Sequence, residues 1–283
     1  TPEGYLVNPK ALKRKINSKF NESSAVFTKD GNTMYFTRNN FTDGKQRMDA
    51  SKITLLKLYK ATMGSDGSWV DVQELPFNSN QYSCAHPALS PDEKTLYFAS
   101  DMPGSVGQSD IFKVAINADG TFGTPTSLGG GINTEARETF PFVSDDNILF
   151  FASDGQLGLG GLDVFSVKMN ADGTMSKVYN LGTPVNSPQD DFSYLFNSKT
   201  KLGFFSSNRA GGKGNDDIYK FVEEMPLPYD CNQVISGVIV DEQTKEIITN
   251  TTVTLFDEDM KLISSMVVNE KGAYVFEGLD CEK

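Results

Sequence analysis

A two-part sequence motif recurs along the chain and constrains the fold more than any other feature. In its second copy, Tyr97-Phe98-Ala99-Ser100 is followed by a polar loop containing glycine and then by Asp110-Ile111-Phe112. The other copies, the first of them looser, are Tyr35-Phe36-Thr37-Arg38 with Leu58-Tyr59, Phe150-Phe151-Ala152-Ser153 with Asp163-Val164-Phe165, and Phe204-Phe205-Ser206-Ser207 with Asp217-Ile218-Tyr219. Counted at the last aromatic residue of each copy, the steps are 53, 53 and 54 residues. The chain is therefore a repeat protein.

A constant period of about 50 residues, built from short β-rich runs, is typical of β-propeller blades. Each copy reads as four antiparallel strands, A to D; in the third copy these are residues 140–143, 148–152, 164–169 and 175–181. An Asp-Gly pair before strand D, such as Asp172-Gly173, favours a hairpin turn because both residues tolerate positive φ. We predict an all-β fold with a four-bladed β-propeller. The alternative, five blades, needs a further copy that the sequence does not show.

The N-terminal residues bear on how the ring closes. The fourth copy runs through Phe221 without an Asp-Gly turn or a strand D. A second, three-residue motif precedes every strand A: Ile16-Asn17-Ser18, Phe77-Asn78-Ser79, Ile132-Asn133-Thr134 and Val185-Asn186-Ser187. Residues 11–16 therefore stand where strand D of a preceding blade would lie. We predict that they complete the last blade, so that the propeller spans residues 1–222.

The repeat is lost beyond residue 222. Residues 223–230 contain Pro226 and Pro228 and are predicted to be a linker, since proline interrupts strand pairing. Residues 231–283 show short alternating runs at 234–240, 252–256, 262–268 and 274–276. A β-sandwich usually needs about 100 residues. We therefore predict a truncated β-sandwich for residues 231–283.

The composition and charge of the chain argue against several classes of partner. The formal net charge is −11, and no concentrated basic patch suited to nucleic acid occurs. No apolar run approaches the roughly 20 residues of a membrane-spanning helix. Candidate zinc ligands are too few for a site. We predict no nucleic-acid partner, no direct membrane span, no cofactor and no metal.

The three cysteines leave two interpretations open. Cys84 lies inside a repeat, whereas Cys231 and Cys281 bracket the last segment. A disulfide between Cys231 and Cys281 would close a loop of about 50 residues and stabilise it by roughly 4 kcal/mol. Such a bridge would indicate an exported protein. Two reduced, buried thiols are the alternative.

The repeat Tyr-Phe-Ala-Ser, glycine loop, Asp-Ile-Phe resembles the TolB-type, WD40-like propeller repeat (PD40). Residues 235–241 with 272–276 resemble a carboxypeptidase-regulatory-like domain. That order of domains is similar to multidomain OmpA-family envelope proteins associated with type IX secretion and gliding. In that family a helical-repeat region usually precedes the propeller and an OmpA-like domain follows the sandwich; neither flank is present here. One departure is Lys57, where the other repeats have Asp.

The resemblance implies a non-enzymatic scaffold in the periplasm, associated with the outer membrane. Its partners would be other envelope or secretion-system proteins, with peptidoglycan contacted only through the absent OmpA-like domain. A glycan- or peptide-binding propeller is the alternative, and a propeller hydrolase is the third hypothesis. A hydrolase should bring a carboxylate pair or an arginine cluster to the channel.

The order of strands in each blade indicates where binding residues lie. In a four-stranded antiparallel meander, the B–C and D–A connections lie at the same end of the propeller. Loops on a rigid scaffold are where binding usually resides. Seven residues at this end are candidate partner contacts: Arg38, Arg47, His86, Asp101, Arg137, Asp154 and Arg209.

Other residues are better explained by structure. Asp110, Asp163 and Asp217 recur before strand C; they could coordinate calcium, but a residue repeated in several blades favours a structural role as acceptor of loop N–H groups. His86 is the only histidine, and no orienting partner for it or for nearby Cys84 can be named. We predict no catalytic residue.

Overall fold

The computed structural model describes residues 6–12, 16–42, 44–170, 172–227, 229 and 233–279. They fall into two compact units, divided between Leu227 and Pro228, inside the predicted linker. Every regular element in these ranges is a strand, which confirms the all-β prediction. The described part of the chain has no helix that could cross a membrane.

The first unit contains four antiparallel sheets in chain order. The first comprises β1 (Glu22–Phe27), β2 (Thr33–Asn39), β5 (Leu56–Met63) and β6 (Trp69–Glu74), with a hairpin of β3 (Phe41–Thr42) and β4 (Lys45–Gln46) in its long loop. The second comprises β7 (Cys84–Leu89), β8 (Thr95–Ser100), β9 (Asp110–Ala115) and β10 (Thr126–Ser127). The third comprises β11 (Glu138–Val143), β12 (Ile148–Ser153), β13 (Asp163–Lys168) and β14 (Tyr179–Asn180). The fourth comprises β15 (Asp191–Asn197), β16 (Leu202–Ser207) and β17 (Asp217–Val222).

These sheets are the four blades, numbered 1 to 4, and the four-bladed prediction is confirmed. Strands A, B and C have the predicted order, but strand D of blades 2 and 3 is only two residues long. In blade 3 it pairs only at Tyr179 and Asn180, after an isolated bridge between Met169 and Met175. In blade 4 no described residue pairs with the outer edge of β17.

The core lies between neighbouring blades. In blades 2 and 3, strand B is buried on both of its faces because a blade packs on each side of it, as Phe98 and Phe151 show. Phe98 packs with Tyr35 and Leu58 of blade 1. Phe151 belongs to a cluster that joins blades 2 and 3. A third interface places Tyr194 of blade 4 against Phe150, with ring centroids 4.7 Å apart.

All four A strands contain the same distortion. The register of their pairing with strand B shifts at the third residue of each A strand, which forms a β-bulge. The residue at the bulge has positive φ although it is not glycine: Ser24, His86, Phe140 and Ser193. This conformation is uncommon for residues with a side chain. The bulges bend each A strand where it lines the centre of the ring.

The second unit contains two pairs of antiparallel strands. β18 (Gln233–Val238) pairs with β21 (Ala273–Leu279), and β19 (Thr252–Phe256) pairs with β20 (Leu262–Val267). These strands lie where the sequence places them. Two strand pairs do not establish a β-sandwich, which stays a prediction. Cys231 and Cys281 lie outside the described residues, so their pairing also stays a prediction.

Candidate functional site

The four B–C loops lie at one end of the propeller, which we call the loop face: residues 38–57, 101–109, 154–162 and 208–216. The A–B and C–D turns lie at the opposite end, the hairpin face. Three of the four B–C loops expose aliphatic side chains: Met48, Ile53, Val106, Leu157 and Leu159. Leu157 is the extreme case, with 94% of its surface exposed. The predicted site residues are all charged or polar, so these aliphatic residues were not among them.

The recurring aspartates hold these loops in shape. Asp110 accepts hydrogen bonds from the N–H groups of Val106 (2.9 Å) and Gly107 (3.1 Å). Asp163 does the same for Leu159 (2.6 Å) and Gly160 (3.0 Å). The backbone of two exposed aliphatic residues is thus fixed directly by a buried carboxylate.

Asp217 closes the fourth loop in the same way, by accepting from Lys213 N–H (2.8 Å) and Gly214 N–H (3.0 Å). In the described ranges, no three His, Cys, Asp or Glu side chains gather as a metal site would require. The contacts of the recurring aspartates are those of loop-closing residues.

Asp101 and Asp154 also have partners inside their own blades. Asp101 accepts from Ser83 N–H (2.6 Å) and Asp154 from Arg137 N–H (2.8 Å). Each carboxylate thus ties the end of strand B to the residue before strand A. Asn208 occupies the same position in blade 4 and accepts from Asp190 N–H (2.8 Å).

Two of the four candidate arginines are internal. Arg38 is buried, donates to the Ile16 carbonyl (2.5 Å) and pairs with Glu22 (3.2 Å). Its guanidinium lies over the rings of Phe36 (5.0 Å) and Tyr59 (4.9 Å).

Arg209 repeats this arrangement in blade 4 from a different position of the repeat. It donates to the Val185 carbonyl (2.5 Å), pairs with Asp191 (2.5 Å) and lies over Phe205 and Tyr219. Both guanidinium groups satisfy a backbone carbonyl and a carboxylate at the edge of a blade.

Arg137 and Arg47 lie nearer to solvent. Arg137 pairs with Asp154 at 2.7 Å, with half of its side chain exposed. Arg47 approaches Glu74 at 3.9 Å, and Glu74 also binds Lys57. A binding role for these two arginines stays a prediction.

His86 lies at the bulge of β7, where it borders the central channel. Its ring stacks on Phe140 with centroids 3.8 Å apart, and Phe140 in turn lies 4.9 Å from Phe192. Its Nδ1 is 2.6 Å from the Thr139 hydroxyl oxygen. Cys84, two residues away, instead lies 3.5 Å from the Ser100 hydroxyl. Burial raises the pKa of the Cys84 thiol to about 12.

A cavity of about 270 Å³ lies in the channel beside this aromatic series. Its walls come from all four A strands and are largely aliphatic and aromatic, including Leu89, Val143 and Tyr194. Lys29, Glu93 and Asp145 from the A–B turns place its mouth at the hairpin face. Leu195 in its lining remains 53% exposed.

Burial lowers the pKa of His86 to about 4 from its ordinary value of 6.5. Between these two pH values the unfolded chain binds a proton that the folded chain does not, so the free energy of unfolding falls as the pH is lowered through this window. We expect protonation of His86 to lower the free energy of unfolding by at most about 3 kcal/mol between pH 7 and pH 4. Chemical denaturation at several pH values should show a smaller loss for His86→Gln than for the wild type. If the free energy of unfolding depends equally on pH in the two proteins, the pH dependence does not come from His86.

Comparison with known proteins found similarity only among solved structures. No family model and no curated protein matches the sequence. Similar solved structures include a putative TolB from Agrobacterium tumefaciens, 14% identical, with a TM-score of 0.39, covering 72% of this chain and 83% of that one. An alpha-L-arabinofuranosidase from Lactobacillus brevis is 13% identical, with a TM-score of 0.47 and coverage of 73% and 76%. Likeness at this level carries no argument about this chain.

A puromycin-hydrolyzing peptidase from Mycobacterium tuberculosis is 16% identical, with a TM-score of 0.41 and coverage of 66% of this chain. The chain spans only 25% of that peptidase. The expectation that the chain is not an enzyme is contradicted, because this peptidase, a puromycin hydrolase and prolyl oligopeptidase B are among the matching structures.

Proposed function

We propose that the propeller is a protein-binding scaffold that contacts its partner through the loop face. The observation that carries this proposal is the set of exposed aliphatic side chains on three B–C loops. Burial of a leucine or valine side chain contributes about 1.5–3 kcal/mol. Residues such as Leu157 and Leu159 gain this contribution only when a partner covers them.

The anchoring of the loops strengthens the argument. Binding is weaker when flexible loops have to become ordered in the complex, because that ordering is entropically unfavourable. Here Asp110 and Asp163 already fix the backbone at Val106 and Leu159 in the free protein. A partner that covers these side chains therefore meets a preorganised surface. A standard protein interface buries about 1,600 Å² in total, which requires contacts from several loops.

We propose further that the partner is another protein of the bacterial envelope. The resemblance to OmpA-family proteins supports a periplasmic, outer-membrane-associated scaffold in a type IX secretion or gliding assembly. In this proposal, peptidoglycan is bound by an OmpA-like domain outside the present sequence. Fractionation of cells and detection of the full-length protein with outer-membrane markers tests the location.

A second candidate function is recognition of a peptide or glycan in the channel. The specific observation in its favour is the cavity at the hairpin face, with Leu195 in its lining. Its apolar walls suit an apolar side chain of a peptide better than a sugar, whose hydroxyl groups need hydrogen-bond partners. This function and the scaffold function use opposite ends of the propeller, so one experiment separates them.

The test is quantitative capture of proteins from envelope fractions by the tagged chain. We expect Leu157→Asp combined with Leu159→Asp to reduce capture of the wild-type partner at least tenfold, because a carboxylate in a buried contact is unfavourable by more than the 1.4 kcal/mol that a tenfold change requires. The fold should be unchanged, since both side chains are exposed. Cross-linking from position 157 should then identify the protein in contact.

Leu195→Asp is the matched control at the hairpin face. If it abolishes capture while the loop-face variant binds normally, the channel is the site and the loop-face proposal is wrong. If neither variant changes capture of a partner that the wild type retains, the propeller surface proposed here does not bind it.

A further inference from the structure

One exposed carboxylate, that of Glu135, lies beside the exposed aliphatic residues of the loop face. Residues 134–136 belong to the connection between β10 and β11, and they pack against the B–C loop of blade 2. Gln108 N–H of that loop donates to the Ala136 carbonyl at 2.8 Å. Glu135 is therefore held next to the loop segment that carries Val106.

The B–C loop of blade 3 packs on the other side of residues 134–136. Gly155 approaches them so closely that a Cβ atom there would overlap the side chains of the first and last residue of this segment. Gln156 Nε2 donates to the Ile132 carbonyl at 3.0 Å. Leu157 follows directly in the chain. The carboxylate is thus fixed between the segments that carry the two exposed aliphatic side chains.

The surroundings of this carboxylate are acidic. We call the acidic sector the B–C loops of blades 2 and 3 and the D–A connections beside them: residues 101–109, 134–137, 154–162 and 187–190. Its formal charge is −3, from four carboxylates and one guanidinium: Asp101, Glu135, Asp154, Asp190 and Arg137. Arg137 pairs with Asp154 at 2.7 Å. Within the described residues, the other three carboxylates have no cationic partner.

Two of these three carboxylates have structural partners. Asp101 accepts from Ser83 N–H (2.6 Å), and Asp190 accepts from Leu162 N–H (2.8 Å). The Glu135 side chain is exposed and makes no hydrogen bond or ion pair with any residue that the structure describes. Glu135 is therefore the carboxylate of the acidic sector that the fold itself does not use.

A partner that covers Val106 and Leu157 also removes water from the carboxylate between them. A carboxylate that loses its water without gaining a cation is strongly unfavourable. The covering surface therefore needs a lysine or arginine between its apolar groups. An anionic lipid surface does not meet this need, because its phosphates are repelled by a sector of charge −3.

We infer that the acidic sector binds a basic, aliphatic segment of a protein. A lysine or arginine of that segment pairs with Glu135, and apolar side chains on either side of it cover Val106 and Leu157. Opposite charges also raise the rate of encounter and disfavour acidic partners. This inference rests on the proposed function, because it specifies the chemistry of the partner at the same face.

Selection of short peptides displayed on phage tests the inference with a defined probe. The library is first depleted on the variant that combines Leu157→Asp with Leu159→Asp, and is then selected on the full wild-type chain. We expect the enriched clones to place lysine or arginine next to aliphatic residues. Binding of the most enriched clone, as a synthetic peptide, should weaken about tenfold or more with Glu135→Lys. Glu135→Gln should weaken it less, because it removes attraction without adding repulsion.

Glu224→Lys is the matched control. It makes the same change of charge at an exposed glutamate outside the loop face, and it should bind the peptide as the wild type does. Raising sodium chloride from about 0.05 M to about 0.5 M should weaken binding to the wild type more than binding to Glu135→Gln, because salt screens the pair.

The outcomes separate this inference from the proposed function. Neutral or acidic clones that still depend on Leu157 and Leu159 would overturn the inference and leave the proposed function standing, as would equal affinity for the wild type and Glu135→Lys. A selection without any clone that depends on the two leucines would contradict both. If the chain binds phosphatidylglycerol vesicles and loses this binding in the leucine variant, the face meets a membrane and the inferred protein segment is wrong.

Discussion

Replacing Arg209 with alanine is expected to lower the free energy of unfolding by about 3–5 kcal/mol, because it leaves a buried carboxylate without its cation. Asp191, the partner, is 0% exposed and pairs with Arg209 at 2.5 Å. The guanidinium also donates to the carbonyls of Pro184 (2.9 Å) and Val185 (2.5 Å). Urea denaturation followed by far-ultraviolet circular dichroism gives the free-energy difference.

Arg137→Ala is the matched control, since the sequence assigns both arginines to the same face. Arg137 is half exposed and pairs with Asp154 near the surface. Exposed pairs contribute about 0–1 kcal/mol. Similar losses in the two variants would contradict the distinction between an internal and a surface arginine.

Replacing Glu138 with alanine is expected to destabilise the propeller by a comparable amount, roughly 3–5 kcal/mol. This fully buried carboxylate accepts from Thr134 N–H (2.8 Å), the Thr134 hydroxyl (2.7 Å) and the Ser153 hydroxyl (2.7 Å). Removing it leaves three donors without their acceptor in a buried site. The thermal midpoint and the urea midpoint should both fall.

Glu138→Gln keeps the size of the side chain and one oxygen acceptor. It should lose about 1–2 kcal/mol, since only part of the hydrogen bonding is lost. If alanine and glutamine at this position destabilise equally, the hydrogen bonds do not account for the loss and the packing volume does.

Most of the fold could be predicted from local sequence patterns. The 53-residue step and the aromatic pair of strand B predict the four blades, because in blades 2 and 3 that pair is buried between two neighbouring blades. Tight turns and the aspartate before strand C also depend on residues a few positions apart. Such contacts recur wherever the local sequence recurs, which is why they can be read from one copy and transferred to the next.

The site was predicted less completely, for a physical reason. Arg38 and Arg209 occupy different positions in their repeats, yet both guanidinium groups bind a carbonyl, a carboxylate and two rings. The sequence alone placed both on the surface as candidate contacts. A long side chain reaches groups that the fold brings near it, and sequence spacing does not record that distance.

The sequence by itself determined the repeat, the class of fold, the order of the strands and the positions of the loops at one end of the ring. Only the tertiary structure decided which side chains in those loops are free to meet a partner. Charged residues there are largely neutralised within the propeller, whereas Leu157 and its aliphatic neighbours remain exposed. Exposure depends on which residues pack from other blades, and a local pattern does not contain that information.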